Sequence, residues 1–393
     1  MYNMIENRMK SLDVTIQVLA ERLHVNTSTI SRFLSGKTEL KFETLFEMIQ
    51  ILFHQSEQPE VCKFYFMRLR NKRNIKCVLE YFSSNQNMPE LKEIMDRERE
   101  HATHELKELI NVYELIYKMI FTKKELSAIV EDRNVSNPTF KSKEARAVLS
   151  VQKMLYGLLA KKYSFTYEGK DSALSHINEL EDGFIKNSLL NCVDIMLIAT
   201  YIYRNDIKSA QECINRIQSN FTNYYTLMGT YYFMGKIHFS DNYQVSKDNF
   251  NKALELSKTF TGNRYYAFIS NKCLPFLHLY HAYHENIEDV NKLSPHLQAY
   301  YYFRCGDVEK AKELITHNFV MNCPYNSFIK AEIFNDIHSY WMSLVNFVSQ
   351  GDIHHVKLPI IELSKRGVPP GPLHHLINNR EVQVHFGAVS SFF

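Results

Sequence analysis

From about Pro59 to its C-terminus the chain reads as helix after helix, and this rhythm narrows the possible folds more than any other feature. SLLNCVDIMLIATYIY, YYTLMGTYYFMGKIHF, VSKDNFNKALELSKTF and YYAFISNKCLPFLHLY are strongly amphipathic or buried helical segments. Between such segments stand short polar breaks: Arg204-Asn205-Asp206, Ser240-Asp241-Asn242, Gly262-Asn263, Cys305-Gly306-Asp307 and Gln350-Gly351-Asp352. With 12 Gly and 10 Pro in 393 residues, a strand-rich sandwich or a doubly wound sheet fits poorly. The 24 Tyr and 26 Phe, within a hydrophobic content of 45%, are enough for a large helical core. We therefore expect an all-α fold.

The breaks recur in a set form: an aromatic-rich helix, a polar turn, then a more polar helix containing Ala. One unit fits tetratricopeptide spacing, with Ala299 and Tyr302 before the Gly306-Asp307 turn and Ala311 and Ile315 after it. A second fits loosely, with Gly229 and Tyr232 followed by Phe250 and Ala253. The expectation is a superhelical array of degenerate tetratricopeptide-like repeats, in which small residues let paired helices approach and stacking creates a concave face. Such a face suits an extended peptide. Tyr201, Tyr203, Tyr224, Tyr225, Asn187 and Asn191 offer apolar contact and hydrogen bonding, although any one aromatic is more often inter-helix core.

The N-terminus has a different grammar. Ile16, Leu19, Ala20 and Leu23 make one helical face, and His24-Val25-Asn26 is a short break. A second helix runs from Thr27 to Leu34 with Asn26 or Thr27 as its cap, Ile30 and Leu34 inward, and Gly36 as its stop. A further helix follows from Phe42 to Phe53. Spacing, the small residue at the crossing, the turn and the glycine together resemble the helix-turn-helix of Cro/CI/Xre repressors. In that geometry the second helix enters the major groove and leaves Thr27, Ser28, Thr29, Ser31 and Arg32 outward. Arg32 suits a bidentate contact to guanine, while Gln17 and Lys37 suit phosphates. Expected partners are double-stranded DNA and a second copy of the chain, since a single such unit reads only a half-site.

Charge adds one ambiguous feature. The net charge is +3, and residues 1–56 carry six basic and six acidic residues. Residues 61–76 carry six basic residues (Lys63, Arg68, Arg70, Lys72, Arg73, Lys76) and no acid, which reads equally as a phosphate-facing stripe or a solvated helix face. The seven Cys include no CxxC pair, the start lacks a signal-peptide core, and no apolar run reads as a membrane span, so a cytoplasmic protein is expected. His278, His281 and His284 in HLYHAYH lack a further ligand pair, and no nucleophile elbow or phosphate loop occurs. No metal, no cofactor and no enzyme activity are expected.

A helix-turn-helix followed by degenerate tetratricopeptide repeats is similar to the peptide-pheromone receptors of Gram-positive bacteria and their phages. Within that group the chain most resembles the arbitrium receptor (AimR) family, which sets the lysis–lysogeny decision of temperate Bacillus phages. The stretches that carry the resemblance are CVLEYFSSNQNM from Cys77, FIKNSLLNCVDI from Phe184, NYQVSKDNFNKAL from Asn242, AYYYFRCGDVEKAKELI from Ala299 and KLPIIELSKRG from Lys357. The resemblance implies a homodimer that binds DNA and activates a lysis-promoting regulator until a short peptide enters the repeat groove. It matches Asn326 and Asp352 to polar groove positions. Ala199 and Tyr203 stand where relatives have asparagine, Tyr225 where they have arginine, Leu297 where they have glutamate, and His354 where they have an aromatic, which implies a different peptide. Leu373, Leu376 and Ile377 correspond to a leucine-rich dimerisation helix.

The expected organisation is a DNA-binding domain at residues 1–56, a sensor and dimerisation domain at 57–378, and a tail at 379–393 without an assigned role. Two other readings remain open: a bacterial quorum-sensing pheromone regulator, and a repeat adaptor that sequesters a protein without binding DNA.

Overall fold

The computed structural model describes residues 3–121, 140–159, 163–220, 223–258, 264–318, 322–369 and 371. Every regular element among them is helical. Two compact units are present, one of residues 1–196, 216–227 and 258–262, the other of residues 197–215, 228–257 and 263–393.

The first unit begins with α1 (Asn3–Ser11), α2 (Ile16–Arg22), α3 (Thr27–Leu34) and α4 (Phe42–Leu52). The reading from Thr15 missed α1, whose Ile5 and Met9 are buried in the small N-terminal core. Thr15 caps α2 by accepting the Val18 amide, and Asn26 occupies the cap position of α3. Gly36 closes α3 at φ 73°, a left-handed geometry that favours glycine. There the Lys37 amide reaches back to the Arg32 carbonyl at 2.9 Å and the Gly36 amide to Phe33 at 2.9 Å.

The helices that follow are α5 (Gln58–Phe66), α6 (Lys72–Ser84), α7 (Met88–Glu98), α8 (His104–Phe121), α9 (Lys143–Leu159) and α10 (Tyr163–Asn178). Residues 1–56 share a core with them. Phe42 of α4 lies 4.5 Å, ring centre to ring centre, from Phe66 and 4.6 Å from Phe184, and Phe66 meets Tyr81 edge-on at 4.8 Å. Polar groups pin the same junction. Asn74 accepts the Phe42 amide at 3.0 Å and donates to the Leu40 carbonyl at 2.9 Å. Glu39 accepts the Arg70 and Asn71 amides at the start of α6, at 2.8 and 3.0 Å.

Three helices have residues in both units: α11 (Phe184–Tyr203), α12 (Ile207–Ser219) and α13 (Tyr224–Ile237). By length and composition α11 could cross a membrane, contrary to the sequence reading, with 20 residues and a mean hydropathy of 1.3 over an 18-residue window. Its polar residues are nevertheless paired inside the first unit. Asp194 binds Arg216 at 2.6 and 3.1 Å, Asn191 donates to the Asn220 carbonyl at 2.7 Å, and Ser188 donates to Glu80 at 2.6 Å. It is packed as a core helix.

The second unit continues with α14 (Tyr243–Ser257), α15 (Arg264–Phe268), α16 (Leu274–Tyr280), α17 (Pro295–Arg304), α18 (Val308–His317), α19 (Pro324–Phe334), α20 (Ile337–Ser349) and α21 (Lys357–Lys365). A π-helical turn at Ile269–Cys273 joins α15 to α16. Pro275 offers no amide for a regular helical bond, and the wider turn accommodates it. The expected tetratricopeptide-like pair is α17 with α18: Ala299, Ala311 and Ile315 are fully buried, and Gly306 turns between them at φ 89°. In the looser pair a close crossing falls at Gly235. A Cβ on Gly235 would lie 2.6 Å from the Phe250 ring, and Ser246 donates to the Gly235 carbonyl at 2.8 Å. Leu373, Leu376, Ile377 and the tail at 379–393 lie outside the described residues.

One buried acid gives the first unit a pH dependence. Glu80 is 2% exposed and accepts from Tyr113 and Ser188, each at 2.6 Å. Burial raises its pKa to about 7, against the pull of those two hydroxyls. The native chain therefore keeps a proton on Glu80 that the unfolded chain, titrating near 4.3, releases. Stability should fall as pH rises from about 4.5 to 7 and then level off. Glu80→Gln should flatten that slope, read as the urea midpoint at pH 5 and pH 8; equal slopes in both proteins would remove Glu80 as its source.

Candidate nucleic-acid and ligand interfaces

The helix-turn-helix presents one polar face. Ile30, Phe33 and Leu34 turn α3 into the core. Thr27, Ser28, Ser31 and Arg32 are left exposed, while Thr29 is half-buried. Gln17 is exposed on α2, where it donates to Glu21 at 3.2 Å. Lys37 is exposed just past Gly36, its backbone fixed by the bond to Arg32. Neither Arg32 nor Lys37 is paired with a carboxylate among the described residues. Unpaired cations beside small hydroxyl side chains, on the exposed face of a short helix, suit phosphate and base-edge contacts.

The basic stretch at 61–76 divides. Lys63 is paired with Glu90, and Lys76 with Glu144 at 2.5 Å and Glu105 at 3.3 Å. Arg68 lies over the Phe64 ring at 3.7 Å. Arg68, Arg70, Lys72 and Arg73 are exposed around the turn between α5 and α6.

The second unit holds a buried polar cluster of a different kind. Asn326, in the first turn of α19, is 1% exposed, and neither its amide nitrogen nor its oxygen has a partner among the described residues. Burying an unsatisfied amide costs about 1–3 kcal/mol, so such a group in a native core calls for an explanation. Asp352 follows Gly351, which turns the chain at φ 73° after α20. Both Asp352 oxygens take up His355 Nδ1, at 2.8 and 3.0 Å. Burial alone would raise the Asp352 pKa, but His355 and Lys236 outweigh it and hold the carboxyl ionised. His355 is itself pushed down by burial, against the pull of Asp352, and its Nδ1 donates to the carboxylate.

His354 is 3% exposed, with Nδ1 3.1 Å from Asn205 Oδ1. Burial, with the charges of Lys357 and Lys236 adding, lowers its pKa to about 3. A neutral ring donating from Nδ1 leaves Nε2 as an acceptor. That nitrogen is buried without a partner.

Lys236 completes the cluster. Its ammonium lies 5.1 Å from the Tyr203 ring centre and 5.9 Å from that of Tyr232. Burial works against its charge, but Tyr203, Tyr232 and Asp352 raise its pKa well above the usual lysine value, and Lys236 stays protonated. Tyr203 is tied to the Asp352 turn through its carbonyl, which accepts the Ile353 amide at 2.9 Å. Tyr325 packs edge-on to Phe347 at 5.0 Å and to His355 at 6.0 Å.

Of the six expected groove residues, the structure therefore gathers Tyr203, Asn326, Asp352 and His354. Leu297 is 2% exposed inside α17. Tyr225 is half-buried and belongs to the first unit. Sequence reasoning missed Lys236, Tyr232, Tyr325 and His355. For Lys236 a signal existed: it is the one charged residue of YYTLMGTYYFMGKI, although a lysine in the last turn of a helix ordinarily serves the helix end. The HLYHAYH histidines serve packing: His278 Nδ1 meets Tyr243 Oη at 2.9 Å and His281 Nε2 meets the Phe239 carbonyl at 2.7 Å. No group of three His, Cys, Asp or Glu among the described residues could hold a metal ion.

The profile of the family described as AimR transcriptional regulator-like matches residues 58–365. The chain belongs to this family. A helix-turn-helix profile matches residues 5–53. The AimR transcriptional regulator of Bacillus phage phi3T is 22% identical over 333 residues, covering 82% of this chain and 85% of the phage protein. A solved structure of selenomethionine phAimR superposes with a TM-score of 0.77 at 19% identity, covering 96% of this chain and 99% of the other. A phAimR–ligand structure gives a TM-score of 0.66 at 21% identity, over 84% of this chain and 98% of the other. These two share the all-helical fold of the chain. The family is one of transcriptional regulators and not an enzyme family.

The two classes of basic contact predict different DNA phenotypes. Arg32→Ala should weaken binding to a cognate operator by about 1–3 kcal/mol and relax preference at one base pair. Lys37→Ala should weaken binding evenly across sequences and lower the slope of log affinity against log salt by about 1. Competition binding on a randomised operator set reads both; an Arg32→Ala protein with unaltered preference would take Arg32 off the base edges.

Proposed function

We propose that this chain is a peptide-responsive DNA-binding regulator of the arbitrium type. Residues 1–56 read an operator through Gln17, Thr27, Ser28, Thr29, Ser31, Arg32 and Lys37. Residues 57–378 sense a short signalling peptide and hold two copies together, with Leu373, Leu376 and Ile377 in the dimer contact. Tyr203, Asn326, Asp352 and His354 contact the peptide, and Leu297 borders the bound segment. The peptide-free dimer binds DNA in the cytoplasm of a bacterial host and activates a regulator that favours lysis. The peptide favours a second arrangement of the dimer, and DNA affinity falls by as much as the peptide prefers that arrangement.

The observation that carries this reading is Asn326. A peptide backbone offers both a carbonyl and an amide, the two complements that its buried side chain lacks. His354 Nε2, a buried acceptor without a donor, adds a third unmet valence of the kind an amide N–H or an amino group satisfies. A solved phAimR–ligand structure supports a ligand site in the family.

The test is a DNA-binding assay on the purified protein with its own upstream region, with and without a synthetic peptide copied from the end of a short downstream reading frame. Specific binding that the peptide abolishes is the expected result; specific binding that persists at saturating peptide would sink the proposal. Asn326→Leu keeps the shape and removes both orphaned atoms. It should raise the Tm of the peptide-free protein while weakening the peptide response about tenfold or more. A variant with lower Tm and an unaltered peptide titration would take Asn326 out of the site.

A further inference from the structure

Lys236 is half-buried and makes no ion pair among the described residues. No carboxylate among the described residues lies within ion-pairing distance of its ammonium. Asp352 acts on it only through space, and both Asp352 oxygens are already held by His355. Two tyrosine faces attract the ammonium but accept none of its three N–H groups in a strong hydrogen bond. The residue as a whole is half-buried. Tyr203, whose ring centre lies 5.1 Å from the ammonium, accepts the Ile353 amide beside Asp352, and Tyr325, next to the unsatisfied Asn326, lies 6.0 Å from the His355 ring that holds Asp352. These contacts link the cation to the segment that carries the orphaned amide.

The geometry points to Lys236 as the anchor for a carboxylate of the bound peptide, either its C-terminal group or an Asp or Glu side chain, seated between the faces of Tyr203 and Tyr232. The inference rests on the peptide-sensing reading and adds the chemistry of the ligand to it. A carboxylate fits better than a phosphate. One lysine balances one negative charge, the neutral His354 adds none, and ionised Asp352 would repel a dianion. Asp352 in turn favours a cationic group elsewhere on the same peptide, so the cluster is matched to a ligand that carries both signs.

The test uses the immobilised full-length chain and two synthetic hexapeptide mixtures, one with free carboxyl ends and one amidated, with retained peptides identified by mass spectrometry. A C-terminal anchor predicts retention from the free-acid mixture alone. A side-chain anchor predicts retention from both mixtures, with Asp or Glu enriched at one position. Lys236→Arg should retain the same peptides. Lys236→Met should bind them about 10- to 100-fold more weakly, the loss expected for one charge-assisted hydrogen bond. Lys236→Glu should select peptides enriched in Lys or Arg.

Amidated peptides without acidic residues retained as tightly as the rest would overturn the proposal, as would Lys236→Met binding the selected peptides unchanged. Retention of no peptide from either mixture by the wild-type chain would instead sink peptide sensing itself, and this inference with it. The acid–amide comparison on the wild-type chain decides the question even where a substitution prevents folding, which thermal denaturation of each variant reports.

Discussion

The packing of Phe42 against Phe66 and Phe184 is the contact on which the first unit depends. It joins the helix after the DNA-reading pair to the helices that follow residue 56, so the reader and the start of the repeat region share one core. Buried aromatic pairs contribute about 0.5–1.5 kcal/mol beyond their area, and Phe46, Phe66, Tyr81 and Phe184 form several such pairs around Phe42. Glu39 and Asn74 then fix the register of α6 against α4 through backbone bonds. A reader mounted this way moves with α5 and α6 rather than swinging on a linker, which is a condition for a signal in the repeats to reach DNA.

The second unit follows the opposite principle. Its repeats are closed by small residues at crossings, as at Gly235 and Ala311. One cluster nevertheless leaves valences unmet: the Asn326 amide, His354 Nε2 and the unpaired Lys236 ammonium. Polar groups buried in this way weaken the free protein and call for a structural or functional explanation. Asp352 is the counterexample within the same cluster, since both of its oxygens meet His355 Nδ1.

Much of this was legible in the chain. The periodicity of the segments, the low Gly and Pro content and the polar breaks determined an all-helical fold, because helix formation and chain reversal are local events governed by neighbouring residues. The helix-turn-helix was legible for the same reason: Ala20, Ile30 and Gly36 act within about twenty residues of one another, and their spacing fixes which side chains face outward. Asn326, Asp352 and His354 were reached through resemblance, since nothing local distinguishes a buried asparagine that is satisfied from one that is not.

Tertiary structure alone decided the rest. Whether Lys63 and Lys76 face phosphates or carboxylates depended on where Glu90, Glu105 and Glu144 fell, and the fold paired them. Whether α11 is a membrane span or a core helix depended on partners for Ser188, Asn191 and Asp194 that lie far off in sequence, at Glu80, Asn220 and Arg216. Lys236 is the clearest case. Its sequence context describes a helix end, while its environment comes from Tyr203, Tyr325 and Asp352, on three other segments. Local sequence sets backbone geometry over a few residues; the electrostatic surroundings of a side chain are set by whichever distant segments the packing brings beside it.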